Sequence, residues 1–228
     1  MLLACRIEVG VADRATFAST RDLAIMNRFA RLLSCASLVL TLSACAFGTR
    51  QPTLVYPPAA ESGTAQAARA ASPKGLPILI QPFTDARNDR SKVGTVRNGF
   101  GMPTADVVPT NNVADWFNSA LKTELQNSGY TVLAAPEAGK TFAVLSGQIR
   151  NVWADMYFNY NGEIAFDAQL KQGGKDMLAK HYEGTGSAGV AWGATAESYA
   201  QTLAISLANT LKPLLADIDA AAAAVPRK

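Results

Sequence analysis

The sequence predicts an α+β fold, a two-layer sandwich in which two helices cover one face of a mostly antiparallel sheet. Three observations predict it. From Thr141 the apolar period becomes two, and glycine turn signals punctuate it at Asn161-Gly162 and Gly173-Gly174. Two segments, beginning near Asn112 and Thr195, carry apolar side chains at helical spacing instead. A short apolar run, PILIQPF at 77–83, is bracketed by prolines and reads as one more strand. The predicted order is β-α-β-β-β-β-α, with the globular domain over 75–219.

Each element has a local cause. Pro77 and Pro82 lack ladder donors, which places the first strand near a sheet edge. A long polar loop follows, TDARNDRSKVGTVRNGFGMPTADVVPTNN. Asn111 or Asn112 caps the first helix. Its buried stripe is Val113, Trp116, Phe117, Ala120, Leu121 and Leu125, and Gly129 supplies the left-handed stop. Residues 130–133, YTVL, resume as a strand, and an antiparallel meander fills roughly 142–185.

A two-residue turn at Gly173-Gly174 sets Lys171 opposite Asp176, Asp167 opposite Lys180 and Ala168 opposite Ala179. The same register sets Leu170 against Met177 and Phe166 against His181. The last helix runs from about Thr195 to Ile218, striped by Tyr199, Leu203, Leu207, Leu211, Leu214 and Leu215, with Pro213 as a possible kink or stop. Residues 220–228 read as a tail.

The N-terminal part is organised differently. Arg28 and Arg31 precede an apolar run through Leu42, which ends on the small residues Ser43 and Ala44 before Cys45. Basic, then apolar, then small is the order of an exported segment. The run is well short of the ~20 residues that span a bilayer. Leu42, Ser43 and Ala44 resemble a lipobox, the signal-peptidase recognition site of bacterial lipoproteins. That resemblance implies that Cys45 carries a covalent diacylglycerol and an N-acyl chain, palmitate-type anchors strong enough to hold the protein on a membrane. Ala46 in place of Asp resembles lipoproteins forwarded to the outer membrane. Signal peptides begin at their basic region, so Met26 is the expected initiator, 26–44 the signal peptide and 1–25 a start-site artefact. Residues 45–74, rich in Pro, Ala, Ser and Thr, read as the acylated cysteine and a flexible tether.

Composition sets exclusions. Removing 44 of the 228 residues takes with it five of the 21 basic and three of the 18 acidic side chains, which leaves the mature chain near +1. A near-neutral chain without basic clusters carries no nucleic-acid footprint. The three cysteines are Cys5, Cys35 and Cys45, so the domain is built without disulfides. One histidine, His181, excludes zinc sites made from histidine or cysteine pairs within one mature chain. No metal site or other cofactor is expected.

The words PFTDARND at 82–89 and VGTVRNGFG at 93–101, between a lipobox and a helix ending in Gly-Tyr, resemble the YajG-like family of Gram-negative lipoproteins. The likeness runs over roughly 32–218. It implies location and fold, and no reaction comes with it.

Residues 85–101 are the candidate site for a ligand or partner. Asp85, Arg87, Asp89, Arg97 and Asn98 concentrate charge and hydrogen-bonding capacity there, next to glycines that permit unusual backbone angles. The plainer reading is that these groups brace one another across the sheet edge. Asp85 and Asp89 lack the alternating ligands of a calcium loop. Gly184, Gly186 and Gly189 match G-x-G-x-x-G, but no parallel β-α-β unit surrounds them, and they read as a flexible strand exit. Trp153, Tyr157 and Tyr160 suggest a sugar-binding ladder that strand alternation would split between faces.

The functional expectation is a non-enzymatic, lipid-anchored lipoprotein on the periplasmic face of the outer membrane. It would act as an adaptor for an unidentified envelope protein through an unpaired sheet edge. The alternative is a binding module that takes a glycan or lipid fragment through the 85–101 loop.

Overall fold

The computed structural model describes residues 48–56, 74–139, 141–189 and 193–224. The signal segment, Cys45, residues 57–73 and Trp192 lie outside them. The described elements are eight strands and two helices: β1 (Lys74–Ile80), β2 (Thr84–Asp85), β3 (Gly94–Arg97), β4 (Pro103–Val107), α1 (Val113–Asn127), β5 (Tyr130–Leu133), β6 (Ala143–Tyr157), β7 (Asn159–Gln172), β8 (Lys175–Gly189) and α2 (Ala196–Ala223). The fold is therefore α+β. The expected polar loop between the first strand and the first helix in fact contains three short strands.

β6 organises the sheet. One of its edges pairs antiparallel with β7 along its length. Its other edge takes three short strands in succession, all parallel to it: β1 at Ala143–Leu145, β2 at Gln148 and Ile149, and β3 at Ala154–Met156. β5 then lies parallel to β1, and β4 antiparallel to β3. The sheet is mixed, which corrects the mostly antiparallel expectation. The hairpin signals report only the β6–β7–β8 half, because parallel pairing leaves no turn signature in the sequence. β1 is correspondingly an interior strand between β5 and β6. Its proline is accommodated by an interruption of the β1–β5 register between Lys74 and Ile78, where the missing donor falls.

Two bulges keep apolar residues inward. Arg150 has no partner between the pairs Ile149–Phe166 and Asn151–Ala165, so the buried set on β6 changes from Leu145 and Ile149 to Val152 and Ala154. β7 keeps strict alternation, burying Tyr160, Ile164, Phe166, Ala168 and Leu170. The second bulge lies in β8 at Met177, between the pairs Lys171–Asp176 and Leu170–Leu178. The Gly173-Gly174 turn forms as expected, both glycines having positive φ, and Lys171 faces Asp176 at 3.6 Å. Beyond the bulge the partners from Leu170 to Gly162 move by one, and a further shift sets Tyr160 opposite Gly189. Ala168 faces Lys180, Asp167 faces His181 and Phe166 faces Tyr182. A slip of one residue exchanges faces, so His181 is exposed and Tyr182 stacks on Phe166 at 5.4 Å.

The other expected turn is displaced too. The β6–β7 connection turns at Phe158 (φ 63°), while Asn161 and Gly162 lie inside β7 opposite Asp155 and Ala154. Gly162 is needed for packing. A Cβ there would stand 2.4 Å from the Ser206 hydroxyl, and one at Gly186 would stand 2.6 Å from the Ser206 amide nitrogen. Thr202, Ser206 and Thr210 form the buried ridge of α2 that fits these glycines, and each hydroxyl donates to the carbonyl four residues back at 2.7–2.8 Å.

Both helices form where the stripes place them. Asn112 caps α1, accepting from the amides of Ala114 and Asp115, and all six striped residues are buried. Asn118 on α1 exchanges two hydrogen bonds with the backbone of Phe83, which joins the Phe117–Phe166 cluster. Thr195 caps α2, and the helix runs through Pro213 to Ala223, longer than the stripe. Pro213 is on the exposed face, where solvent can satisfy the freed carbonyl.

Residues 48–56, read above as tether, lie against the domain. Arg50 bridges to Val107 in parallel, with Arg50 N donating to the Asp106 carbonyl and Val108 N to the Arg50 carbonyl. Leu54 is buried in the core and its backbone exchanges two hydrogen bonds with Asn111.

Candidate functional site

The residues from Asp85 to Asn98 divide between two places along β6. Asp85 pairs with Ile149, and Arg97 reaches Asp155, six residues further. At ~3.3 Å per residue the two places are about 20 Å apart.

At the first, Arg87 is buried and grips Asp85 with a fork, Nε to Oδ1 at 3.0 Å and Nη2 to Oδ2 at 2.9 Å. Its Nη1 donates to the Lys92 carbonyl at 2.9 Å. Burial opposes ionisation of Asp85, but the Arg87 hydrogen bonds and charge outweigh it and hold the carboxyl below its ordinary range. Asp89 closes a local turn, accepting from the Ser91 hydroxyl at 2.6 Å and amide at 2.9 Å, which also lowers its carboxyl.

At the second place, Arg97 donates Nε to Asp155 Oδ2 at 2.6 Å and Nη1 to the Gly101 carbonyl at 2.9 Å. Asn98 builds the β3–β4 turn, its Oδ1 accepting from the amides of Phe100 and Met102. All five residues hold backbone in place, and the structure does not gather them in one cleft.

Arg97 borders an open depression of about 580 Å³, lined also by Gly101, Trp153, Asp155, Tyr157, Asn161 and Glu163. Asp155 Oδ1 is buried there without a partner. Trp153 and Tyr157 share this lining, whereas Tyr160 points inward, fully buried, with its hydroxyl donating to the Gly193 carbonyl. The expected split therefore falls between Tyr160 and the other two. Next to the depression stand Phe100, Met102, Tyr157 and Phe158, all exposed. The sequence reading missed this group because loops often carry single apolar residues.

A second depression, about 650 Å³, lies over β6–β8 and includes Gln148, Arg150, Asp167, Lys180 and His181. Asp167 accepts from Arg150 Nε at 2.6 Å and bonds His181 Nδ1 at 2.7 Å. The His181 contact, then Arg150, lowers the Asp167 carboxyl despite partial burial. Gly184 and Gly186 of the glycine motif face Thr210 and Ser206 of α2, which gives the motif a packing role. Among the described residues no group of three metal-ligating side chains assembles, and no described helix is long and apolar enough to cross a membrane.

A mixed sheet with two helices, carrying the PFTDARND and VGTVRNGFG words on and around β2 and β3, makes this a small α+β domain. The chain belongs to the Lipoprotein_16 family of uncharacterised lipoproteins, the YajG-like family, whose family model matches residues 80–223. No curated protein matches the sequence. Among solved structures, a Xanthomonas campestris protein of the DUF330 family is similar at 15% identity and a TM-score of 0.48, over 76% of this chain and 98% of its own. A hypothetical protein from Chlamydia trachomatis aligns at 9% identity and a TM-score of 0.45, over 66% and 99%. The lipoprotein GNA1162 from Neisseria meningitidis aligns at 14% identity and a TM-score of 0.30, over 65% and 95%.

Proposed function

We propose that this protein is anchored by acylated Cys45 to the periplasmic face of the outer membrane and serves there as a non-enzymatic adaptor for another envelope protein. The observation that carries this reading is the use of Asp85, Arg87, Asp89, Arg97 and Asn98 as internal braces. They stiffen a platform whose hairpin ends display exposed side chains. The β8 edge is a poorer contact than expected. Its Met177 bulge, Lys175 and Lys180 discourage strand addition, and Asn209 donates to the Thr185 carbonyl. Crosslinking in intact cells, with identification by mass spectrometry and Cys45→Ala as control, tests the reading. It predicts reproducible envelope proteins that disappear in the control; recovery of none contradicts it.

A second reading, a module for a glycan fragment, is favoured by one observation. Trp153 and Tyr157 line the same depression as Arg97, Asp155, Asn161 and Glu163, a combination of aromatic faces and planar polar groups suited to sugar rings. Titration with muropeptides, read by tryptophan fluorescence and repeated with Trp153→Ala, tests it; unchanged emission contradicts it.

A further inference from the structure

The turns β3–β4 and β6–β7 lie side by side, since Val96 pairs with Met156 and a Cβ on Gly101 would touch the Tyr157 ring at 3.5 Å. Together they present Phe100, Met102, Tyr157 and Phe158, with Phe100 87% and Phe158 67% exposed. The rings of Tyr157 and Phe158 pack at 4.5 Å. Phe158 also has a left-handed backbone (φ 63°), costly for a residue with a Cβ, at a turn where glycine would be relaxed. Phe158 therefore occupies the tip of the turn despite a backbone cost.

The route of the chain says what this tip faces. At Arg50 the chain bridges Val107 in parallel, so the described backbone just before Arg50 comes from the side on which β4 begins. Cys45 is five residues before Arg50, and five residues reach at most ~18 Å. Val107 back to Met102 is the same distance along the sequence. A lipid on Cys45 would thus be held within ~18 Å of the Arg50–β4 junction, a reach that includes the end of the sheet carrying the aromatic tip.

We infer that Phe100, Met102, Tyr157 and Phe158 insert into the interfacial region of the bilayer that holds the acyl chains, fixing the orientation of the domain on the membrane. This rests on the anchoring reading above. Exposed aromatic and methionine side chains at turn ends suit the boundary between headgroups and acyl chains, at an interfacial depth of ~5–10 Å. The cation beside them, Arg97, is paired with Asp155. Insertion is accordingly apolar and does not require anionic lipid.

The test uses the mature lipidated protein in phosphatidylcholine vesicles containing brominated lipid. Acylated Cys45 cannot react with a thiol label, so Met102→Cys and, as control, Lys175→Cys each carry one environment-sensitive fluorophore. Lys175 follows the turn at the opposite end of β7. The label at 102 should lose about half its emission to the brominated chains, while that at 175 is unchanged. Adding phosphatidylglycerol should not alter either result, and Phe100→Ser with Phe158→Ser should abolish most of the quenching at 102. Mass spectrometry of the same sample reads Cys45. Unmodified Cys45 overturns the anchoring reading and this inference with it. Acylated Cys45 with an unquenched label at 102 overturns this inference alone, as does a photocrosslinker at 100 that captures protein instead of lipid.

Discussion

At the residue scale, the β2–β3 connection depends on the Arg87–Asp85 fork. Replacing Arg87 by Met leaves the Asp85 carboxylate partly buried without its partner, and losing one member of such a pair costs about 3 kcal/mol. Urea unfolding measures it, and adding Asp85→Asn to the Arg87→Met variant should recover part of the loss. The same carboxylate contributes to pH dependence together with Asp167 and with Asp217, which is lowered by its bonds from Lys180 and then Tyr182. All three are held below their ordinary value, so the unfolded chain takes up these protons first. Their contribution to stability is complete above about pH 4 and is lost as the pH falls through their folded-state values. Thermal melts between about pH 2 and pH 6, a range set by the carboxylates, should show Tm falling on the acid side, less steeply in Asp85→Asn.

At the scale of elements, the contact of α2 with β7 and β8 depends on an absent side chain. A Cβ at Gly186 would meet backbone at Ser206, which cannot rotate away, so Gly186→Ala should cost on the order of 2 kcal/mol. Gly99→Ala, with open space around it, is the neutral comparison in the same denaturation series. This contact also explains what the sequence concealed. Asn161-Gly162 has the composition of a hairpin turn, but its glycine answers to Ser206 and Thr202 of a helix some forty residues away in the chain, beyond the reach of any local rule. The bulge at Met177 is silent for a similar reason. Lys171–Asp176 reads correctly next to the turn, and one extra residue then moves His181 from the predicted apolar face to Asp167. The helices were legible because their stripes and Asn112 and Thr195 caps are local. Thr202, Ser206 and Thr210 were not, since their hydroxyls hide a packing face in polar letters. Of the candidate site, the charged residues of 85–98 were legible as a group, but their division between two ends of β6 depends on parallel pairings that leave no pattern in the sequence.

At the scale of the molecule, the chain between the proposed lipid on Cys45 and the domain is shorter than its composition suggests. Leu54 is buried and Arg50 bonds to β4, so the domain includes residues that look like linker. Leu54→Ala should destabilise the whole domain by about 2–3 kcal/mol in equilibrium unfolding, an effect a free tether would not show. A short connection of this kind would let the proposed anchor orient the sheet as well as retain it. The adaptor role and the membrane-inserted tip both depend on that anchor. The decisive measurement is the mass of the N-terminal peptide from protein extracted from bacterial membranes. The account predicts a mature chain beginning at Cys45 and carrying diacylglyceryl and N-acyl groups. A chain that begins elsewhere, or a Cys45 without lipid, would contradict it.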